Sequence, residues 1–130
     1  CHTLYLVQNK IAHIRPTDLQ PPIAWSLRSL ELGGNRLRSL ENLSHLINLE
    51  ELWVGKNKIT SLQGIAPLTK LRVLSIQSNR LTKLEGLETL TALEELYLSH
   101  NGIKKLENLE HNTQLTTLAA FVASVTVLGQ

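Results

Sequence analysis

The chain has 130 residues, a length suited to one domain, and its 42% apolar content is typical of a folded protein rather than a disordered one. Its 13 lysines and arginines nearly balance its 11 aspartates and glutamates, so the composition gives no reason to propose a nucleic-acid-binding arm or a polybasic membrane patch. The single cysteine, Cys1, excludes an internal disulfide and favours a reducing compartment, and no apolar stretch is long enough for a membrane-spanning helix.

The first predicted element is a half-repeat, Leu4-x-Leu6-x-x-Asn9-x-Ile11. Because the chain begins with Cys1 rather than Met and stops at Gln130 inside a repeat, we expect a fragment that is truncated at both ends. The Leu-x-Leu step has the period of two that is typical of a short strand with two side chains pointing inward. The asparagine amide both donates and accepts hydrogen bonds, so it can satisfy backbone groups of its own turn and of the adjacent turn.

Residues 15–26 are predicted to form an irregular insert. They lengthen the spacing from Asn9 to Asn35 to 26 residues, whereas the later spacings are 22 residues. Prolines fit an irregular bulge on the convex side and oppose a regular helix there. The unusual residues of this insert are Pro16, Pro21, Pro22 and Trp25.

The same pattern then recurs four times with a period of 22 residues. The return segments, such as Leu43-x-x-Leu46-x-x-Leu49, have a spacing of three that favours a short helix or a 3₁₀ turn. Since no unit can bury its apolar face alone, we predict that parallel strands stack, one per repeat, into a solenoid. We call the repeated asparagines the ladder asparagines: Asn35, Asn57, Asn79 and Asn101.

One turn position precedes each return segment and holds only asparagine or glycine: Asn42, Gly64, Gly86 and Asn108. These two residue types accept a positive φ at the least cost, so the column predicts a left-handed turn. Asn42-Leu43-Ser44 also matches the N-glycosylation sequon, but the turn explains all four copies and the sequon explains only one.

The last repeat departs from the pattern, and residues 119–130 are predicted to be a degenerate repeat. Asn112 and Ala120 stand at apolar column positions, and Ala123 stands where a ladder asparagine is expected. The apolar run from Leu118 to Val122 has two interpretations, a weak closing strand or a sequence that does not belong to the authentic protein.

The residue between the two strand leucines is predicted to point outward from the concave sheet. Three of the five aromatic residues fall in this column, and exposed Trp and Tyr side chains in a row are favoured interface anchors. The alternative is that aromatic residues simply tolerate strands well. Glu51 and Glu95 flank the column and make it acidic as well as aromatic. The predicted partner-binding residues are Tyr5, Glu31, Trp53, Ser75 and Tyr97.

No motif predicts catalysis. The five histidines show no HExxH pattern, and the chain contains neither a GxSxG elbow nor a phosphate-binding glycine loop. Several carboxylates follow one repeat position, as Glu41, Glu85 and Glu107 do, which favours a solvated face. We therefore expect no enzyme activity, no cofactor, no metal, no small-molecule substrate, no nucleic acid and no membrane contact.

The 22-residue pattern resembles the leucine-rich repeat, and in particular its Sds-type subclass. The chain also resembles the nuclear regulatory subunits of protein phosphatase 1 over roughly residues 4–118, apart from the insert around Pro21. The strings that carry this resemblance are LYLVQNKI, LELGGNRLRSLENL, GKNKITSLQ, VLSIQSNRLTKLEGLETL and ELYLSHNGIKKLENLE. The resemblance implies an α/β fold, a right-handed solenoid of about five repeats forming a single domain over residues 1–130. Its concave sheet would be parallel, and its convex segments would be short helices or 3₁₀ turns.

The same resemblance implies a binding function. Members of that family hold the phosphatase catalytic subunit on the concave face through acidic and aromatic residues. The resemblance also implies a nuclear and cytoplasmic location. Tyr5, Glu31 and Trp53 match those residues in character, whereas Ser75 and Tyr97 only share their column. Ala119 stands where the family has an acidic residue.

A second hypothesis is an extracellular or surface adhesion module, as in bacterial 22-residue repeat proteins. The segment Gly64-Ile65-Ala66-Pro67-Leu68 is similar to theirs.

Overall fold

The computed structural model describes residues 2–119 and the backbone of residues 126–127. Each repeat contributes one short strand to a parallel sheet, and two further strands form a second, two-stranded sheet. One helical turn lies between the first two strands. The elements are β1 (Thr3–Tyr5), α1 (Ile23–Ser26), β2 (Ser29–Glu31), β3 (Glu51–Trp53), β4 (Val73–Ser75), β5 (Glu95–Tyr97), β6 (Lys105–Leu106), β7 (Thr117–Ala119) and β8 (Thr126–Val127).

The large sheet has the order β1-β2-β3-β4-β5-β7, with every neighbouring pair parallel. The strands pair in the register of the 22-residue repeat, so that Leu52 faces Leu74 and Leu74 faces Leu96. The four extra residues of the insert leave this register intact, because Thr3 still pairs with Ser29. The predicted solenoid with a parallel concave sheet is therefore confirmed.

The core is one continuous cluster that runs the length of the described solenoid. The middle residue of each inner strand is fully buried, as Leu30, Leu52, Leu74 and Leu96 show. Burying a leucine side chain contributes about 1.5–3 kcal/mol, so the inward columns of the repeat supply the main stabilisation. The repeated leucines thus fix both the spacing of the strands and the direction of their outer side chains.

The convex segments are chains of tight turns. In the second repeat, the amide of Leu46 donates to the carbonyl of Leu43 at 3.0 Å, and Leu49 donates to Leu46 at the same distance. These bonds join residues three apart, so they are the predicted 3₁₀-type turns. A short α-helix was the other expectation for these segments, and among the described residues only the convex insert of the first repeat contains one.

The expectation that prolines oppose a helix in the insert is wrong for its last residues. Helix α1 follows Pro22, and its single turn buries Ala24 while the amide of Leu27 donates to the carbonyl of Ile23. The reason is positional: Pro21 and Pro22 precede the helix, where a missing N–H group costs little, and no proline lies within it.

Three side chains of the next repeat hold the insert in place. The Asn42 amide donates to the carbonyl of Ile14 at 2.6 Å, and the Asn48 amide donates to the carbonyl of Trp25 at 2.9 Å. The ring of His45 also hydrogen-bonds to the carbonyl of Leu19. The insert is therefore fastened to the convex side and leaves the sheet undisturbed.

The ladder asparagines join consecutive turns, as predicted. The amide nitrogen of Asn79 donates to the carbonyl of Val54 in the preceding repeat and to that of Ile76 in its own repeat, both at 3.0 Å. Its side-chain oxygen accepts from the amide of Ile59 at 3.0 Å. Asn57 and Asn101 repeat the same set of bonds. Each ladder side chain thus closes two turns with one buried amide.

Two columns adopt left-handed backbone conformations, and the sequence predicted one of them. The predicted column is confirmed, with φ of 64° at Asn42, 106° at Gly64, 86° at Gly86 and 61° at Asn108. The second lies one residue before each ladder asparagine and was missed because its residue types vary. Its members are Gln8, Gly34, Lys56, Ser78 and His100.

The predicted degenerate repeat falls mostly outside the described residues, including Ala120 and Ala123. Within them, Asn112 takes the place of a convex leucine and is 4% exposed. Its amide nitrogen donates to the carbonyls of Leu87 and Leu90, at 2.9 and 3.0 Å. Its side-chain oxygen is buried without a partner among the described residues.

Asn112→Leu is expected to raise the free energy of unfolding by about 1–2 kcal/mol. The change removes an unpaired buried oxygen and restores the leucine that other repeats bury at this position. Urea denaturation measures the change. Asn48→Leu is the control, because both amide atoms of Asn48 have partners, Trp25 and Lys70, and no gain is expected there. A loss of stability in Asn112→Leu would contradict the role assigned to the unpaired oxygen.

Candidate functional site

The five predicted site residues form one row across the sheet. The register pairs Tyr5 with Glu31, Glu31 with Trp53, Trp53 with Ser75 and Ser75 with Tyr97. All five lie on the same face, because the buried leucines at the centre of the strands point the other way. The register therefore aligns the five residues in one row of the parallel sheet, and their role in partner binding stays a prediction.

The central feature of the row is a stacked pair of aromatic rings. The ring centroids of Trp53 and Tyr97 lie 6.3 Å apart, with 23° between the ring planes. Their strands are two steps apart, about 9.6 Å at the usual strand spacing, so the rings lean toward each other. Ser75 lies between them and is only 4% exposed. A small side chain at position 75 thus allows two residues 44 positions apart to stack.

Two glutamates, each on the same strand as one of the rings, hold the rings in place through hydrogen bonds. The indole nitrogen of Trp53 donates to Oε1 of Glu51 at 3.1 Å, and the hydroxyl of Tyr97 donates to Oε1 of Glu95 at 2.5 Å. The hydrogen bond to Glu95, followed by desolvation and the negative charge of that carboxylate, raises the pKa of Tyr97. The phenol therefore keeps its proton, and its role as donor, throughout the neutral range.

A shallow hollow of about 340 Å³ adjoins the ring pair. Glu31 and Trp53 line one part of it, and Gly33 and Gly55 line another. A Cβ added at Gly55 would lie 3.2 Å from Cγ of Gln77, so a larger residue would crowd the hollow. The absence of a side chain at Gly55 thus keeps the hollow beside Trp53 open.

Tyr5 lies apart from the stacked pair. It is 67% exposed on the edge strand β1, and Glu31 separates it from Trp53 in the register. The structure therefore brings together three of the five predicted residues, Trp53, Ser75 and Tyr97, as one rigid cluster. Glu31 borders that cluster through the hollow.

Sequence reasoning missed a charged ladder at the other edge of the strands. Side chains immediately before consecutive strands alternate in sign, and Arg28 lies 3.7 Å from Glu50. Arg72 lies 3.8 Å from Glu50 and 2.7 Å from Glu94. The hydrogen bond that Arg72 donates to Glu94 is the first cause of the raised pKa of Arg72. The signal was available, because these four residues are 22 positions apart in sequence.

Among the described residues, no group of three or more His, Cys, Asp or Glu side chains could hold a metal ion. Within the same residues, no helix has the length and apolar character needed to cross a membrane.

Comparison with known proteins supports the repeat architecture. A family model of two leucine-rich repeats matches residues 25–67 and again residues 69–111. No curated protein matched the chain.

Two solved structures from Listeria monocytogenes are similar to the chain. One is an internalin, InlF, with 31% sequence identity and a TM-score of 0.74, and the match covers 98% of this chain and 36% of that one. The other is the functional domain of InlJ, described as including a cysteine ladder, with 26% identity and a TM-score of 0.59. That match covers 91% of this chain and 29% of the InlJ chain.

The chain therefore spans about a third of the length of these two structures. It differs from the InlJ description in its ladder, which consists of asparagines, and in having one cysteine in the whole sequence. The family model covers more than half of the chain, and the register and buried leucines agree with it. The chain belongs to the leucine-rich repeat family.

Proposed function

We propose that this chain is a non-catalytic binding module that holds a folded protein partner on its concave face. The observation that carries the proposal is the stacked pair of Trp53 and Tyr97, which is only partly buried and has both polar ring atoms hydrogen-bonded. Tryptophan and tyrosine are the residues in which interface binding energy most often concentrates. Rings that are already fixed lose little conformational entropy on binding, which favours affinity.

The first candidate partner is the catalytic subunit of a Ser/Thr protein phosphatase. The resemblance of the strings in residues 4–118 to phosphatase 1 regulatory subunits supports it, as does the mixture of acidic and aromatic side chains on this face. In this proposal Tyr5, Glu31 and Trp53 contact the phosphatase, with Ser75 and Tyr97 completing the surface. The chain would then act in the nucleus and cytoplasm.

The second candidate is a surface adhesion module that binds a protein outside the cell. The likeness to two bacterial internalins favours it, since both align with more than nine-tenths of this chain. The concave face would serve the same purpose in this case, with a different partner.

Binding to purified phosphatase catalytic subunit tests the first candidate. We expect Trp53→Ala combined with Glu31→Ala to weaken binding by about 30-fold, which corresponds to the loss of one interface hot spot. Biolayer interferometry with the immobilised chain measures the change. Trp25→Ala is the matched control, because Trp25 is 60% exposed but lies in helix α1, away from the sheet.

If the double variant binds the phosphatase catalytic subunit as tightly as the wild-type chain does, the proposed site is contradicted. If the wild-type chain does not bind the phosphatase at micromolar concentration, the first candidate fails. The second candidate predicts that labelled chain binds intact cells and that Trp53→Ala abolishes this binding. Thermal melts of each variant confirm that the fold is retained.

A further inference from the structure

The segments that follow the concave strands are strongly basic. They hold nine of the 13 lysines and arginines and none of the 11 acidic residues, although the whole chain has a net charge of only +2. We call these segments the descending flank: residues 8–14, 33–40, 55–62, 77–84 and 99–106. The nine cationic residues are Lys10, Arg36, Arg38, Lys56, Lys58, Arg80, Lys83, Lys104 and Lys105.

Backbone hydrogen bonds arrange four of these cations in a row. The amides of Arg36, Lys58 and Arg80 each donate to a carbonyl of the preceding turn, at 2.8, 2.7 and 2.8 Å. The three acceptors are the carbonyls of Ile11, Leu37 and Ile59. Each of them directly follows the basic residue of its own turn, which is Lys10, Arg36 or Lys58. At about 4.8 Å per turn, the row spans on the order of 15 Å.

The flank cations have no partners within the described residues. Their side chains form neither an ion pair nor a hydrogen bond there, and all but Lys58 are exposed. The four cations elsewhere are all paired, namely Arg15, Arg28, Lys70 and Arg72. A row of like charges a few ångströms apart is repulsive, so the flank is suited to a ligand that brings negative charge.

The composition and the length of the flank disfavour nucleic acid and membrane as its ligand. It contains no Phe, Tyr or Trp on which a nucleic-acid base could stack. The row of four cations spans only about 15 Å. This is short for a DNA duplex, since specific DNA interfaces bury about 1,000–2,500 Å² of protein surface. None of the described large apolar side chains that are exposed lies on it, so it offers nothing to insert into a bilayer.

We propose that the descending flank is a second binding surface that takes an acidic segment of a protein partner, with aspartate and glutamate carboxylates along the row of Lys10, Arg36, Lys58 and Arg80. The proposal rests on the protein-binding function argued above. The flank begins where the concave strands end, so a partner seated on Trp53 could extend a chain onto it. The net charge of the sequence conceals this surface because acidic residues elsewhere offset it.

A labelled twelve-residue peptide of aspartate, glutamate and glycine tests the proposal by fluorescence anisotropy at low salt. We expect Lys58→Glu combined with Arg80→Glu to weaken binding by at least about tenfold, and added salt to weaken wild-type binding. Arg15→Glu combined with Lys70→Glu makes the same change in net charge away from the flank. That control is expected to bind within about twofold of wild type.

Equal losses in the two double variants would overturn the proposal, because net charge alone would then explain them. Displacement of the peptide by duplex DNA or by anionic phospholipid vesicles at a lower charge concentration would also overturn it. Lys58→Gln combined with Arg80→Gln serves if the charge reversals prevent folding, and it too must weaken binding. Trp53→Ala is expected to leave peptide binding unchanged, so failure at the concave face and failure at the flank are distinguishable.

Discussion

Replacing Asn79 with alanine is expected to lower the free energy of unfolding by about 2–3 kcal/mol, since a buried polar group that loses its partner costs about 1–3 kcal/mol. Asn79 is 8% exposed, and its amide serves backbone groups of Val54, Ile59 and Ile76. The alanine side chain can replace none of these bonds. The amide of Ile59 is left without its partner, whereas the carbonyls of Val54 and Ile76 keep their bonds from Asn57 and Asn101. Urea denaturation followed by circular dichroism measures the loss.

Asn9→Ala is the matched control for this experiment. Asn9 is exposed, and its amide donates only within its own turn, to the carbonyls of Leu6 and Val7. We expect its replacement to cost less than about 1 kcal/mol, because water can take over both bonds. Similar losses for Asn9→Ala and Asn79→Ala would show that joining two turns adds nothing to stability.

Replacing Leu74 with alanine is expected to destabilise the chain by about 3–5 kcal/mol, the range for leucine truncation in a tightly packed core. Leu74 is fully buried at the centre of β4, with strands paired on both sides. The lost methyl groups leave a cavity that the two neighbouring turns cannot close without shifting their own leucines. Thermal and urea unfolding both measure the effect.

Leu118→Ala provides the comparison for the core substitution. Leu118 occupies the same position in β7 but is 38% exposed. Its truncation leaves no closed cavity, so we expect a cost of about 1 kcal/mol or less. If both substitutions cost the same, burial within the stack does not determine the contribution of these leucines.

The period of the sequence was sufficient to predict the sheet, its parallel register and the ladder. Leu74 and Asn79 recur in identical chemical roles, so their positions predict strands and buried amides without reference to the rest of the chain. The left-handed turn at Gly64 was predictable for the same reason, because only glycine and asparagine occupy that column. Because the unit repeats, each such position is occupied by several residues, and the properties that they share indicate what the position requires.

Other features depend on contacts that no single repeat contains. Lys56 and Ser78 adopt positive φ although neither residue type favours it, because the adjacent ladder asparagine fixes the turn in the stacked solenoid. The stacking of Trp53 on Tyr97 depends on side-chain rotamers and on the small size of Ser75 between them. Sequence reasoning placed these residues in one row but could not predict that two of them form a pair.

The distribution of charge over the surface could not be predicted from the net charge of the sequence. A balance of 13 cations against 11 carboxylates gave no reason to propose a nucleic-acid-binding arm or a polybasic membrane patch. The repeat, however, returns each residue type to the same side of the molecule, so Arg36 and Lys58 lie together while Glu50 pairs with Arg28 and Arg72. In a periodic chain, the charge of each column is more informative than the total.

The undisturbed register beside the insert has a consequence for how such chains can vary. Because Thr3 and Ser29 remain paired despite the additional residues, changes in loop length are absorbed at the outer wall and do not reach the inner one. Gain or loss of one whole 22-residue module would instead change the reach of the inner wall by about 4.8 Å. Natural duplication or protein engineering could therefore adjust the span of the molecule in fixed increments while each remaining module keeps its neighbours.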